Sequence, residues 1–202
     1  MDPHDRATLA FYDKEARAYG QRGDRLGAHK QLEEFVTALP ARATVLDLGC
    51  GAGRDTQALI DAGCDVTAID GSAEMAREAE KRIARPVRVA LFEDLDYVAS
   101  FDGVWASASL LHVPRAGLGL VLSLVYRALK PNGLLFASFK SGGKEGRDKL
   151  GRYYNYVDPH ELEAFLNAAG RWASIEFRTG KGEGYDGVET AFVACLARKC
   201  GQ

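Results

Sequence analysis

The sequence lacks the features of several common classes of protein. Its four cysteines, Cys50, Cys64, Cys195 and Cys200, form no C-x-x-C pair, so we expect neither a metal site nor a disulfide framework. No run approaches the roughly eighteen uninterrupted apolar residues of a membrane-spanning helix. Residues 1–6 have neither the charged nor the apolar region of a signal peptide. The sequence therefore predicts a cytoplasmic protein that does not contact a membrane.

An excess of positive charge is also missing. The 202 residues include 26 lysines and arginines against 28 aspartates and glutamates, which gives a formal net charge of −2. Neutralising a nucleic-acid backbone usually requires a basic surface, so this charge balance disfavours nucleic acid as a partner. A hydrophobic content of 47% over this length fits one compact domain. We expect that domain to occur as a monomer or a homodimer.

Strand and helix patterns alternate along most of the chain. The predicted strands cover residues 43–48, 65–70, 87–92, 101–107 and 134–139. The predicted helices that follow strands cover 54–62, a segment beginning at the N-cap-like Ser72, 115–129 and 159–168. This alternation is typical of a mostly parallel sheet with helices on both faces.

The two ends of the chain depart from the alternation. Two helical stretches, residues 5–19 and 28–39, precede the first strand. Two β-rich runs, residues 172–178 and 189–197, end the chain, and the glycine-rich segment 180–184 between them suits an antiparallel hairpin.

The first strand leads directly into three glycines at alternate positions. Gly49, Gly51 and Gly53 follow an apolar run that contains Asp47. Without side chains, the backbone can turn sharply and approach a bulky ligand closely. The second strand ends at Asp70, a position from which a carboxylate can accept ribose hydroxyls. Together the two features predict a site for a nucleoside cofactor.

The glycine spacing distinguishes between cofactors. A dinucleotide-binding loop has G-x-G-x-x-G, whereas this chain has G-x-G-x-G with Arg54 at the last position, so NAD is the weaker alternative. Residues 47–53 resemble motif I of the class I S-adenosylmethionine-dependent methyltransferases, and Asp70 resembles their motif II acid. The segments 54–56 and 71–75 are similar to small bacterial members of that family.

The resemblance implies a fold and a domain organisation. It implies the Rossmann-like class I methyltransferase fold, an α/β fold with a seven-stranded, mostly parallel sheet in the order 3-2-1-4-5-7-6. The last strand is inserted antiparallel by the C-terminal hairpin. Residues 1–202 are then a single domain, with an N-terminal helical lid over 1–40 and a Rossmann-like core over 41–202.

The implied cofactor is S-adenosyl-L-methionine, with S-adenosyl-L-homocysteine as its product. The predicted cofactor-binding residues are Asp47, Gly49, Cys50, Gly51, Gly53, Arg54, Asp70, Gly71, Ser72, Met75, Phe92, Glu93, Ala106 and Ser107. Asp47 either holds the glycine loop or, as the resemblance implies, reaches the methionine end of the cofactor. Asp70 either binds the ribose or caps the following helix, and an acid at a strand tip can do both.

Recognition of the adenine is less well defined by the sequence. Leu91 stands where many relatives have an acid that binds the adenine amino group, so Glu93 or Asp94 is expected to substitute. Phe92 would then cover the face of the adenine. The alternative is that these residues form only a solvated acidic turn.

Residues 101–114 look like motif IV and the loop that follows it. The small residues Ala106 and Ser107 would let the sulfonium group of the cofactor approach the backbone. His112 is a candidate general base, because imidazole titrates near neutral pH. The alternative is that this histidine only packs or bonds locally. Tyr153 is the second candidate catalytic residue.

The predicted substrate-binding residues come from three segments. They are Tyr12, Tyr19, His112, Lys140, Arg152 and Tyr153. Arg152 could bind a carboxylate with two hydrogen bonds, and Tyr153 could stack on a ring. Tyr12 and Tyr19 resemble an N-terminal lid motif but could equally face the core. Residues 138–154 could be only a solvated polar loop.

The predicted function is methyl transfer to a small-molecule acceptor by in-line displacement, catalysed mainly by positioning and desolvation. Three alternatives remain open: a tRNA-modifying methyltransferase, a non-catalytic regulatory subunit that binds S-adenosylmethionine, and an NAD-linked dehydrogenase. The sequence does not identify the acceptor atom.

Overall fold

Seven strands form one central sheet in the computed structural model, which describes residues 4–23 and 30–201. They are β1 Thr44–Leu48, β2 Asp65–Asp70, β3 Arg88–Val89, β4 Phe101–Ala106, β5 Leu129–Ser141, β6 Trp172–Glu183 and β7 Glu189–Lys199. Their order across the sheet is β3-β2-β1-β4-β5-β7-β6. Strands β1 to β5 are parallel, whereas β7 pairs antiparallel with both β5 and β6. The predicted sheet and strand order are confirmed.

Helices cover both faces of this sheet. They are α1 Arg6–Gly23, α2 Lys30–Thr37, α3 Arg54–Asp61, α4 Ala73–Ile83, α5 Arg115–Ala128 and α6 Pro159–Ala169. Successive side chains of a strand point to opposite faces. Val45 therefore packs with Phe35 of α2 and Leu59 of α3, while Leu46 packs with Leu118 of α5 on the other face. Two buried faces explain why the central strands β1 and β4 are almost continuously buried and largely apolar.

Two helix starts follow from capping residues that the sequence contains. The Ser72 side chain accepts a hydrogen bond from the Met75 backbone N–H at 3.1 Å, which begins α4 as predicted. Asp158 and Glu161 form a reciprocal capping box at the start of α6. The predicted start of the second helix, at residue 28, lies outside the described residues.

Three local features differ from the prediction. Strand β5 begins at Leu129 rather than at residue 134, because Leu129 pairs with Phe101 and the register shifts before Gly103. Strand β3 is limited to Arg88–Val89, and the chain turns into a short 3₁₀ helix at Phe92–Asp94. A two-stranded ribbon, Gly146–Arg147 with Tyr153–Tyr154, stands within the segment that the sequence presents as a polar loop.

The two N-terminal helices occupy different places. Helix α1 borders the carboxyl ends of the strands, where its Leu9 lies against Gly71. Helix α2 lies on one face of the sheet, where Phe35 contacts Trp105 with ring centroids 5.2 Å apart. Among the helices of the described ranges, none combines the length and the apolar character needed to cross a membrane.

Candidate functional site

A cavity of about 570 Å³ opens at the carboxyl ends of the central strands. This volume lies within the range of small-molecule sites, and the position agrees with the general rule for open parallel sheets. The predicted site residues that line it are Tyr12, Tyr19, Asp47, Gly49, Cys50, Gly51, Arg54, Asp70, Gly71, Met75, Phe92, Ser107 and His112. The others, which lie outside its lining, are Gly53, Ser72, Glu93, Ala106, Lys140, Arg152 and Tyr153.

The glycine loop forms the floor of the cavity next to β2. The backbone N–H groups of Gly49 and Cys50 donate to the carbonyl of Ile69 at 2.8 and 3.0 Å. Gly49 has φ +77°, and a Cβ there would lie 2.4 Å from the Cβ of Ser109. Gly53 serves a different purpose, because a Cβ there would lie 3.0 Å from Ala79 of α4. The loop thus combines a close approach at the cavity with close packing of α3 against α4.

Asp70 holds the glycine loop and also lines the cavity. One carboxylate oxygen accepts from the Gly51 N–H and the other from the Ser72 N–H, each at 2.8 Å. Burial raises the pKa of Asp70 to about 6, although both bonds favour the charged form. Each oxygen keeps a further lone pair for a hydroxyl donor. The structure therefore shows Asp70 holding the glycine loop and the backbone of Ser72, whose own side chain caps α4. The ribose contact stays a prediction.

Asp47 is a buried carboxyl at the end of β1. Its Oδ2 accepts a 2.6 Å hydrogen bond from the hydroxyl of Thr56. Burial, together with the negative charges of Asp55 and Asp70, raises its pKa to about 8 although the Thr56 bond acts in the opposite direction. Such a carboxyl is suited to a cationic ligand, because a positive charge nearby would restore its ionised form.

The raised pKa of Asp47 predicts a pH-dependent stability. Asp47 holds its proton more tightly in the folded chain, at about 8, than at its ordinary value of 3.8, so the free energy of unfolding falls as the pH rises between them. Asp70 contributes in the same way only up to about pH 6. Between pH 6 and 8 we expect the Asp47 carboxyl by itself to lower the free energy of unfolding by about 2 kcal/mol.

Urea denaturation of the wild type and of Asp47→Asn at several pH values measures this loss. The variant keeps an oxygen acceptor for Thr56 but cannot ionise, so its unfolding free energy should change much less over the same range. Equal slopes in the two proteins would contradict the assignment.

Beyond β3, the acidic turn is arranged differently from the prediction. Glu93 accepts a hydrogen bond from His4 Nδ1 at 2.6 Å and lies outside the cavity lining, while Phe92 lines the cavity. The carboxylate of Asp94 accepts from the Leu91 backbone N–H and closes the turn. Glu93 therefore anchors the amino-terminal segment through Oε1, while its Oε2 is buried and has no hydrogen-bond partner among the described residues. Its contact with the adenine amino group stays a prediction.

The end of β4 supplies small residues and one large ring. Ser107 lines the cavity, whereas Ala106 is fully buried beneath it. Trp105 also lines the cavity, and its indole N–H donates to the carboxylate of Asp55 at 3.0 Å. The same carboxylate pairs with Arg54 at 2.9 Å, so Arg54 faces the cavity as half of an ion pair.

Helix α1 closes the side of the cavity opposite the sheet. Asp13 accepts a 2.6 Å bond from the Ser72 hydroxyl, which ties α1 to the start of α4 and accounts for the position of Ser72 outside the lining. Tyr12 and Tyr19 contact each other edge to face, with centroids 5.6 Å apart. They line the cavity and also pack against the buried residues Ala16 and Met75. Their role in a lid or in substrate binding stays a prediction.

His112 makes a hydrogen bond with each ring nitrogen. Nδ1 lies 2.6 Å from the carbonyl oxygen of Tyr153, and Nε2 lies 2.8 Å from the hydroxyl of Tyr12. A carbonyl only accepts, so Nδ1 carries the proton in the neutral ring, and Nε2 accepts from Tyr12. The lone pair that a general base would use is therefore already occupied.

The surroundings of His112 also oppose protonation. Burial lowers its pKa to about 3, and the positive charges of Arg152 and Lys140 act in the same direction. A base of this strength gains little from accepting a proton near neutral pH. The structure thus favours the alternative in which His112 bonds locally and fixes the hydroxyl of Tyr12.

Tyr153 and Lys140 lie outside the cavity lining. The Tyr153 hydroxyl donates to Glu145 at 2.5 Å and accepts from the Arg115 N–H at 3.1 Å. Lys140 is 4% exposed and stands 4.0 Å over the ring of Tyr154. The assignment of Tyr153 to catalysis and substrate and that of Lys140 to substrate stay predictions.

Arg152 is a buried cation behind the cavity wall. Its guanidinium is 1% exposed, donates to Asp148 at 2.7 and 3.1 Å, and reaches the hydroxyl of Tyr12 at 3.3 Å. Its carbon also lies 5.0 to 5.9 Å from the ring centroids of Phe11, Tyr12, Tyr154 and Tyr185. With these partners it positions Tyr12, and it does not present its donors to a substrate carboxylate.

Several cavity residues were not predicted. They include His4, Thr8, Leu9, Asp55, Trp105, Glu183 and Tyr185. Asp55 and Trp105 lie next to predicted residues, so a wider reading of those motifs would have found them. The others come from the amino terminus and the β6–β7 hairpin, which long-range contacts bring to the cavity; Thr8, for example, accepts from the Tyr153 N–H at 2.8 Å.

A family model described as "Methyltransferase domain" matches residues 45–133. The chain is also 32% identical to a ubiquinone biosynthesis O-methyltransferase of Xanthomonas axonopodis pv. citri, over 68% of this chain and 66% of the relative. It is 31% identical to a malonyl-[acyl-carrier protein] O-methyltransferase of Enterobacter lignolyticus, over 72% and 61%. The chain thus spans somewhat less than two thirds of the length of these curated relatives.

Solved structures share the fold. A methyltransferase of Methanosarcina mazei has a TM-score of 0.75 at 22% identity, covering 88% of this chain and 100% of its own. The 1,6-didemethyltoxoflavin-N1-methyltransferase of Burkholderia thailandensis, solved with 1,6-didemethyltoxoflavin and S-adenosylhomocysteine, scores 0.73 at 22% identity, covering 99% and 91%. The [4+2]-cyclase SpnF scores 0.67 at 17% identity, covering 86% and 81%. Because proteins that share this fold catalyse different reactions, the residues of the site and not the fold determine the reaction.

Proposed function

We propose that this chain, which belongs to the class I S-adenosylmethionine-dependent methyltransferases, transfers a methyl group from S-adenosylmethionine to a small-molecule acceptor. The observation that carries the proposal is the group of three carboxyls, Asp47, Asp55 and Asp70, that line the cavity around the glycine loop. Their mutual repulsion adds to burial in raising the pKa of Asp47. A cationic nucleoside with ribose hydroxyls would relieve that repulsion and use the free lone pairs.

The residues of the chain fit this donor in three places. Asp47 would pair with the ammonium group, Asp70 would accept from the ribose hydroxyls, and Phe92 would cover the adenine. The missing Cβ of Gly49 lets Ser109 and Phe92 pack closely against the glycine loop. When bound, S-adenosylmethionine supplies a methyl group that its sulfonium already activates.

The remaining work of the protein is to hold the acceptor and to exclude water. Helix α1 covers the cavity, and Tyr12 is fixed there by His112 on one side and by Arg152 on the other. Holding two reactants in line can lower the barrier by about 7 to 11 kcal/mol. Positioning and desolvation therefore suffice without a nucleophile in the protein.

The acceptor is proposed to be small because donor and acceptor share a cavity of about 570 Å³ that α1 borders. A tRNA-modifying enzyme, a regulatory subunit without activity and an NAD-linked dehydrogenase are the competing functions. The predicted lid over 1–40, the cytoplasmic location and the state as a monomer or homodimer stay predictions.

Two measurements separate these functions. Thermal shift with S-adenosylhomocysteine and with NADH should show stabilisation by the first alone, because ligands raise the apparent stability of the form that binds them. Transfer of label from S-[methyl-³H]adenosylmethionine should then appear in small metabolites rather than in bulk RNA. Label in RNA would favour the tRNA enzyme, and binding without any transfer would favour the regulatory subunit.

Asp70→Ala tests the donor site directly. Removing the carboxylate deletes the proposed ribose contact and frees the Gly51 and Ser72 N–H groups, so we expect S-adenosylhomocysteine to bind about tenfold more weakly. Calorimetry measures this affinity, and the melting temperature shows whether the loop still folds. As the matched control, Asp65→Ala removes an exposed acid at the other end of the same strand and should leave the affinity unchanged. Equal affinity of Asp70→Ala and the wild type would refute the assignment.

A further inference from the structure

Asp47 is a buried acid without a cationic partner among the described residues, and the inference drawn from it rests on the proposed function. It is 2% exposed, lies near the end of β1 and lines the cavity. Its Oδ2 accepts from the hydroxyl of Thr56 at 2.6 Å, and this partner is neutral. An ionised carboxylate that is buried beside neutral groups loses its hydration and gains no opposing charge. The protonated acid is therefore the more stable form in the ligand-free chain.

The charged groups around Asp47 favour the same form. Asp70 lies at the end of the neighbouring strand β2 and Asp55 in the first turn of α3, and both add negative charge next to Asp47. Arg54, which precedes Asp55, contacts its carboxylate at 2.9 Å through two nitrogens. The positive charge of Arg54 is therefore already used by Asp55. With these neighbours, burial brings the pKa of Asp47 to about 8, so roughly nine-tenths of it is protonated at pH 7.

In the described part of the chain, the other titratable groups near Asp47 do not pair with it. Burial raises the pKa of Cys50 in the glycine loop and that of Tyr19 in α1, so both are neutral near pH 7. Arg82 of α4 also lines the cavity, but its guanidinium donates to a backbone carbonyl oxygen of the glycine loop at 2.9 Å. Asp47 therefore depends on a ligand for a cationic partner.

A ligand with an ammonium group reverses the preference of Asp47. In the proposed donor site, Asp47 pairs with that ammonium group, while Asp70 accepts from the ribose hydroxyls. A positive charge next to a carboxyl stabilises the ionised form, and a hydrogen bond between two charged groups is stronger than one to the neutral acid. The proton does not pass to His112, because burial lowers the pKa of this base to about 3. It therefore leaves to solvent.

We propose that donor binding is coupled to the loss of one proton: Asp47 is a neutral acid in the ligand-free chain and a carboxylate in the complex. The O–H bond of the carboxyl breaks, its electron pair stays on oxygen, and water takes the proton. Because binding releases a proton, the affinity for the donor rises with pH until Asp47 is ionised before the ligand arrives. A fall from pH 8 to pH 6 thus weakens donor binding, which makes the donor site itself sensitive to pH.

Calorimetry in two buffers counts the released proton. The full chain is titrated with S-adenosylhomocysteine at pH 7 in phosphate and in Tris, and the heats are compared with the ionisation enthalpies of the two buffers. We expect about 0.9 proton per ligand, because that fraction of Asp47 is protonated beforehand. 5′-Methylthioadenosine keeps the adenine and the ribose but lacks the amino acid. It should release at most about 0.1 proton, from Asp70, whose pKa is about 6.

Two variants assign the proton to its residue. Asp47→Asn keeps an oxygen acceptor for Thr56 but cannot ionise, so S-adenosylhomocysteine should bind to it more weakly and release at most about 0.1 proton. Asp65→Asn, the matched control, removes an exposed acid from the other end of β2 and should still release about 0.9 proton. The comparison of the two ligands on the wild type needs neither variant, so it decides the question even if Asp47→Asn folds poorly.

The pH dependence of binding gives a second readout. Between pH 6 and 8, the affinity for S-adenosylhomocysteine should rise about fiftyfold more than that for 5′-methylthioadenosine, since the ionised fraction of Asp47 rises by that factor. Equal proton numbers for the two ligands, equal pH dependences, or full proton release from Asp47→Asn overturns the inference and leaves the proposed methyl transfer intact. If S-adenosylhomocysteine binds at no pH, the proposed function and the inference are both wrong.

Discussion

Replacing Gly49 by alanine is expected to weaken the binding of S-adenosylhomocysteine by more than about a hundredfold. The new Cβ would lie 2.4 Å from the Cβ of Ser109, a distance that real side chains do not adopt. Ser109 cannot easily retreat, because its hydroxyl donates to the Leu48 carbonyl at 2.6 Å. The loop must therefore move, and it carries the N–H of Gly51, which Asp70 holds. Calorimetry with S-adenosylhomocysteine measures the loss.

Gly63→Ala is the matched control for this prediction. Gly63 has φ +86°, close to the +77° of Gly49, but a Cβ there would meet no atom within 4 Å. The substitution Gly63→Ala therefore adds only backbone strain, about 1–2 kcal/mol, and should leave the affinity for S-adenosylhomocysteine unchanged. If Gly49→Ala bound S-adenosylhomocysteine as tightly as the wild type does, the glycine loop would not form the donor site.

Local sequence signals predicted most of the fold because each element carries its own marker. The Ser72 cap and the alternating strand and helix patterns depend on neighbouring residues, and the structure reproduces most of them within a few positions. The predicted strand boundaries are wrong where pairing between strands that are far apart in the sequence determines them. Leu129 extends β5 backwards because Phe101 offers a partner across the sheet, and no signal near residue 129 shows this.

The part of the cavity around the glycine loop was predictable for the same reason. Asp47, Gly49 and Asp70 stand at the ends of strands whose order the resemblance supplies, so their meeting follows from the topology. The part of the cavity around Tyr12 and His112 depends on contacts between segments that are far apart in the sequence. The Tyr12 hydroxyl forms hydrogen bonds with His112, which is 100 positions away in the sequence, and with Arg152, which is 140 positions away. The sequence predicts that Arg152 binds a substrate carboxylate. The aromatic rings that surround its guanidinium come from the ribbon and also from the amino terminus and the hairpin, which are far from it in the sequence.

The buried pair of Arg152 and Asp148 leads to the second large effect. Arg152→Met removes the cation and leaves Asp148, which is 5% exposed, without its partner. Removing one member of a buried pair typically costs about 3–5 kcal/mol, so we expect a loss of this size in the free energy of unfolding. The hydroxyl of Tyr12 also loses a donor, so the affinity for the acceptor should fall in the folded fraction. Urea denaturation measures the first effect.

Arg147→Met separates the effect of burial from that of charge. Arg147 lies on the same ribbon and pairs with Asp5 at 2.6 Å, but its side chain is 48% exposed, so its removal should cost no more than about 1 kcal/mol. In the double variant Arg152→Met/Asp148→Asn the uncompensated charge is gone, and much of the lost stability should return because the aromatic rings can pack on methionine. If Arg152→Met were no less stable than Arg147→Met, the guanidinium would not be the element that fixes Tyr12 and α1 over the cavity. If the double variant were as unstable as Arg152→Met, the loss would come from packing rather than from the buried charge.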